Sequence, residues 1–147
     1  MSQEIECYRG VVHPWLCDAM GHMTTRHYTA MFDDGSYHLL AALGFGPDML
    51  ARRIGFADVN LNTSFKAELA AGELVVITGR VDKIGGKSMI TRYTMRNVTT
   101  GDVAADLVAT TVQFDLAARR AIEVLPEIRA NARRLFPEAE IAAGSMD

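Results

Sequence analysis

The run Thr25-Arg26-His27-Tyr28-Thr29-Ala30-Met31-Phe32-Asp33-Asp34-Gly35-Ser36-Tyr37-His38-Leu39-Leu40-Ala41-Ala42-Leu43 repeats its apolar side chains at helical intervals. Tyr28, Met31, Phe32, Leu39, Leu40 and Leu43 fall at the i, i+3, i+4 spacings of one helix. Thr24 or Thr25 can cap its start, and Gly44 stands where a left-handed glycine ends a helix. Gly35 opposes the assignment by about 1 kcal/mol relative to alanine. Other positions such as Ala30 and Ala42 are also small or apolar. A helix so apolar around its girth is expected to be enclosed.

Outward from this helix the pattern changes to strands. Upstream, residues 4–12 read as a strand closed by His13-Pro14. Downstream, residues 56–69, 73–84, 88–98 and 102–114 read as four strands, with turns at Ala71-Gly72, Gly85-Gly86 and Thr100-Gly101. Alternation is plain in the third of these, where Met89, Thr91, Tyr93 and Met95 share one face and Arg92, Thr94 and Arg96 the other. A short helix opened by Pro126 and carrying Ile128, Ala132, Leu135 and Phe136 closes the chain. Tight turns between successive strands predict an antiparallel meander, and grouped elements predict an α+β fold. One helix covers one face of such a sheet. Its weakly polar second face and its edges therefore predict a self-associated dimer or larger assembly.

The chain has 147 residues, 15 Lys+Arg, 18 Asp+Glu, a net charge of −3 and 49% hydrophobic residues. That length predicts a single domain, taken as residues 1–141, with 142–147 a flexible tail. The balance is mildly acidic, so neither nucleic acid nor an anionic membrane is implied as a partner. The acidic start lacks the basic and apolar regions of a secretory signal, and no apolar run approaches the roughly 20 residues of a membrane span. Cys7 and Cys17 form neither a disulfide framework nor a zinc pattern. A cytoplasmic protein is the expectation.

The densest chemistry lies in His13-Pro14-Trp15-Leu16-Cys17-Asp18-Ala19-Met20-Gly21-His22-Met23-Thr24-Thr25, between a strand and the helix. An acid delivered to a helix N-terminus meets free N–H groups suited to developing negative charge. Asp18 there can direct water, or itself, at a polarised carbonyl; it can equally be a turn residue. Other chemistries fit poorly. His22, His27 and His38 share no helix face at i, i+4, so no metal site is expected. Gly85-Gly86-Lys87-Ser88 ends like a phosphate loop but has Val81 where that motif needs glycine. No Gly-x-Ser-x-Gly elbow exists for a serine nucleophile. Cys17 would need a base nearby to act as a nucleophile, and a neighbouring carboxylate does not favour a thiolate. Arg80, Lys83, Lys87, Arg92 and Arg96 read as a solvated sheet face, or alternatively as contacts for a phosphorylated carrier arm.

Trp15-x-Cys17-Asp18-x-Met20-Gly21-His22-Met23, followed by the helix with Tyr28 and Phe32-Asp33, resembles the opening of hotdog-fold acyl-CoA thioesterases of the 4-hydroxybenzoyl-CoA type. Phe65-Lys66-Ala67-Glu68-Leu69 with Gly72-Glu73, and Lys87-Ser88, are similar to later parts of that family. The resemblance runs to about Phe114. Within it, Tyr8-Arg9-Gly10 through Met23 resembles a branch that hydrolyses betainyl-CoA. The resemblance implies a long central helix wrapped by a five-stranded antiparallel sheet. It further implies a cofactor-free acyl-CoA hydrolase working as a homodimer or dimer of dimers, with substrate across a subunit boundary. Asp18 would be nucleophile or general base, with backbone N–H groups near Thr24 and Thr25 facing the thioester oxygen. Trp15, Met20, Gly21, His22, Tyr28, Arg80, Lys87 and Arg92 would contact the substrate. Relatives commonly carry Asn where Thr24 stands. Asp33 and Asp34 read as structural. Two further readings accompany the first: a hydratase or dehydratase with His22 as Asp18's partner, and a non-catalytic acyl-CoA binder.

Overall fold

The computed structural model describes residues 3–144. Strand β1 (Ile5–Val11) runs through a 3-10 turn (Pro14–Leu16) into the long helix α1 (Thr25–Ala42). A short helix α2 (Pro47–Ala51) then precedes β2 (Ile54–Phe65), β3 (Leu74–Ile84), β4 (Ser88–Asn97) and β5 (Val103–Asp115). After these come β6 (Arg120–Ile122), helix α3 (Pro126–Leu135) and β7 (Glu140–Ile141). The α+β class and the long strands match the sequence reading closely.

The strand order is where the meander expectation is corrected. The five long strands lie in the order β1-β3-β4-β5-β2, all pairs antiparallel, so β2 sits beyond β5 and not beside β3. The turn at Ala71-Gly72 therefore ends a crossing segment and closes no hairpin. The strand expected to reach Leu69 stops at Phe65, because the N–H groups of Lys66 and Ala67 both donate to the Ala104 carbonyl and the chain turns away. Two short strands add to the five: β6 pairs with β5, and β7 runs parallel to β3.

Helix α1 lies on the inner face of the sheet, over β1 and β3. Tyr28, Met31, Phe32, Gly35 and Leu39 form its buried stripe, meeting Ile77, Val81, Tyr93 and Met95 in the core. Gly44 takes φ 114° just past the helix, the left-handed conformation expected there. Enclosure on all sides is not what this chain provides. Thr29, Ala30, Asp33, Asp34, Tyr37 and His38 are exposed, because a single sheet wraps only half of the helix.

The far end is held by Arg129, a buried guanidinium that donates to the carbonyls of Val124, Gly86 and Ala142 and pairs with Glu123. Ala142 also donates its N–H to Ile84. At Ala142, the expected start of the tail, the backbone is thus hydrogen-bonded on both sides; residues 145–147 lie outside the described residues. Among the described residues no helix is long and apolar enough to cross a membrane.

Candidate active site

The loop carrying Asp18 is built by its own backbone. Asp18 N–H donates to the His22 carbonyl at 3.0 Å, and Gly21 N–H donates to the Asp18 carbonyl at 3.0 Å. The Asp18 carboxylate accepts the Met20 N–H at 2.9 Å through Oδ1. This is the turn role that aspartate often plays, and it fixes the carboxylate's orientation while engaging one oxygen. Gly21 closes the loop at φ 88°, a conformation glycine adopts without strain. Two contacts then anchor the loop. Met23 N–H donates to Leu69 at 2.8 Å, and His22 forms a bridge to Ala70.

Asp18 lines a cavity of about 310 Å³ together with Met20, His22, Met23, Thr25, Tyr28, Phe65, Lys66, Ala67 and Glu68. The expected residues Asp18, Met20, His22, Thr25 and Tyr28 thus meet in one place. Thr25 is the first residue of α1, so its N–H belongs to the helix's unsatisfied first turn. Thr24 departs from expectation: its N–H donates to the Leu16 carbonyl at 2.9 Å, and its hydroxyl makes no capping bond. That leaves Thr25, at the start of α1, as the first-turn residue that lines the cavity. Tyr28 is buried edge-to-face on Phe65 with centroids 5.2 Å apart. Burial pushes its phenol above the usual range, keeping it neutral. His22 Nε2 stands 3.2 Å from a Glu68 carboxylate oxygen.

The basic residues do not join them. Arg80 pairs with Asp82 and Glu4, and Arg92 pairs with the same Asp82. Both lie on the outer face of the sheet, alternating with the buried Val81, Thr91 and Tyr93. Lys87 sits in the turn between β3 and β4. Lys66, which the sequence reading did not single out, is the lysine that lines the Asp18 cavity. Among the described residues no group of three His, Cys, Asp or Glu could hold a metal ion.

A second, larger hollow of about 570 Å³ lies between the open face of α1 and the inner faces of β2, β4 and β5. Its walls include Phe32, Tyr37, Phe45, Phe56 and Tyr93, together with the carboxylates of Asp33 and Asp58. Thr111 Oγ1 donates to Asp58 at 2.8 Å. Burial first, then Asp58 and Asp34, push Asp33 above the usual carboxylate range. This trough was not legible in the sequence, because it arises from β2 lying beyond β5. The first turn of α1 separates it from the Asp18 cavity, with Thr25 on one side and Arg26 on the other.

Residues 12–132 match the family model of the Thioesterase-like superfamily. The chain belongs to that superfamily. Among curated members, this thioesterase is 26% identical over 112 residues to the long-chain acyl-CoA thioesterase FadM of Escherichia coli (strain K12), covering 76% of this chain and 85% of FadM. Its fold is similar to that of 4-hydroxybenzoyl-CoA thioesterase from Pseudomonas sp. strain CBS-3, with a TM-score of 0.78 at 21% identity over 88% of this chain and 99% of that one. A Staphylococcus aureus protein solved in complex with CoA superposes with a TM-score of 0.85 at 14% identity, over 99% of this chain and 92% of that one. The helix-in-sheet arrangement of this thioesterase is the hotdog fold.

Proposed function

We propose that this thioesterase hydrolyses acyl-CoA at the Asp18 cavity, with no metal or other cofactor. The observation that carries the reading is that Asp18 and Thr25, the first residue of α1, line the same cavity. Asp18 attacks the thioester carbonyl or activates water to do so. The carbonyl oxygen, negative in the tetrahedral intermediate, is stabilised by the Thr25 N–H and the helix dipole. Collapse breaks the carbon–sulfur bond and expels the CoA thiolate, which takes up the proton given by water. Where water attacks, the acid forms at once; where Asp18 attacks, a water then hydrolyses the Asp18–acyl anhydride, freeing the acid and restoring the carboxylate. A 4-hydroxybenzoyl-CoA thioesterase with one Asp changed to Asn has been solved with 4-hydroxybenzoyl-CoA bound, which supports the role of an aspartate in turnover.

The acyl group belongs in the adjoining trough. FadM acts on long-chain acyl-CoA, yet two carboxylates in the trough wall suit an alkyl chain badly, since covering a carboxylate with an alkyl chain removes its water without supplying a partner for its charge. Aromatic faces with carboxylates favour a short acyl group ending in a cation, in keeping with the resemblance to the betainyl-CoA branch. The trough is open along β2, so a second copy is needed to close it, and a homodimer or dimer of dimers is the working form. A cytoplasmic setting suits CoA chemistry and the free thiols Cys7 and Cys17.

The test is thiol release from an acyl-CoA panel that includes trimethylammonioacetyl-CoA and its neutral isostere, 3,3-dimethylbutanoyl-CoA. Asp18→Asn is expected to lower kcat by about 10²- to 10⁴-fold at unchanged fold. Full activity in that variant, or no hydrolysis of any thioester, overturns the assignment. Hydration of an enoyl-CoA without CoA release decides instead for a hydratase, and tight CoA binding without turnover for a binder. Equal rates on the isosteric pair remove the cationic acyl group while leaving the thioesterase.

A further inference from the structure

Trp15 is the chain's single tryptophan, and it is 74% exposed. It sits in the 3-10 turn three residues before Asp18. That turn is tied to the start of α1 by the Thr24–Leu16 hydrogen bond and to itself by the Cys17–Pro14 bond. The indole is not loose. His13 stacks on it with centroids 4.4 Å apart and planes 6° from parallel. One face is thereby backed, and the other is turned to solvent. Neither the Asp18 cavity nor the trough uses it.

An indole held flat in the open offers little to an aliphatic chain, which gains most from a concave apolar wall. It offers a full face to another flat ring, because base–aromatic stacking needs only parallel π-surfaces. Acyl-CoA carries one fused heteroaromatic ring, at the end of the molecule remote from the thioester. We infer that Trp15, backed by His13, is the platform on which the adenine of the bound CoA stacks. The inference rests on the acyl-CoA reading. It places the two ends of the substrate on one short segment, with Trp15 taking the base and Asp18 the thioester. His13 acts through Trp15, as a positioning residue that keeps the ring in plane.

A lone tryptophan makes its own fluorescence the reporter. Adenosine 3′,5′-bisphosphate and CoA are expected to quench it saturably, whereas phosphopantetheine, which lacks the base, is not. Trp15→Ala is expected to raise the ratio of KM for acyl-CoA to KM for the matching acylpantetheine on the order of tenfold. Trp15→Phe, which keeps a ring, restores most of that loss. A rise of both KM values together points to damage to the loop and overturns the platform. So does the absence of quenching by the bisphosphate, including the case in which a second copy of the chain covers the indole. If the native protein hydrolyses no thioester at all, the enzymatic reading fails separately, and quenching by CoA still reads the platform.

Discussion

At Asp33, function and stability pull in opposite directions. Burial and the carboxylates of Asp58 and Asp34 raise its pKa above the ordinary value. The folded chain thus holds that proton more tightly than the unfolded one, and stability falls as pH rises through the raised value. Asp33→Asn removes this loss. It is expected to melt higher than the native protein at neutral pH, with the advantage shrinking as pH drops toward the ordinary carboxylate range. The same variant should lose discrimination between the cationic acyl group and its neutral isostere. Thermal melts across pH check the first part; a lower melting temperature at pH 7 would sink it. Residues of this kind were only partly legible. Asp18 and Thr25 could be read because a compact motif sets acid and helix start a fixed distance apart. Asp33 was read as structural, since its position gives only a helix face. Asp58 carried no signal before β2 was placed opposite that face.

Helix α1 carries a mark of its own at Gly35. A Cβ built there would lie 3.5 Å from the Cys7 Cβ and 3.6 Å from the Ile77 Cγ2, ordinary contact distances. Close approach therefore does not require glycine at this site. Gly35→Ala is expected to stabilise the fold by roughly 0.5–1 kcal/mol, through helix propensity. Denaturant unfolding measures it, and a destabilised variant would show that the packing of α1 against Cys7 and Ile77 does not accept the methyl group. Gly79 differs, because its Cβ would fall 2.8 Å from the Tyr93 ring. Apart from the end of β2, read four residues too long, the long strands were read within two residues of their ends, since period-2 burial writes itself into sequence. Their order was not. Turn residues announce a reversal of the chain but not the distance it travels before pairing, so Ala71-Gly72 looked like a hairpin. Arg129 was likewise invisible, because the carbonyls it gathers come from three separate segments.

For the molecule as a whole, the edge formed by β2 is the surface on which the proposed self-association is best tested. It spans 12 residues, and Val59, Leu61 and Phe65 stand 60%, 49% and 52% exposed along it. A long apolar edge of this kind is rarely left open in a soluble chain. Antiparallel pairing of β2 with its copy would extend the sheet and roof the trough on both sides. Val59→Lys sets like charges against each other at such a seam and is expected to shift the assembly toward monomer in sedimentation. A mass unchanged from the native assembly would place the contact elsewhere.

If β2 serves both as the seam between copies and as a wall of the proposed acyl trough, ligand and subunit share one surface and are thermodynamically linked. In such an assembly, whatever fills the trough would tighten the pairing of the two copies, and dilution that parts the copies would loosen the hold on ligand. Catalytic capacity in such a protein is a property of its concentration, set by mass action as much as by any side chain.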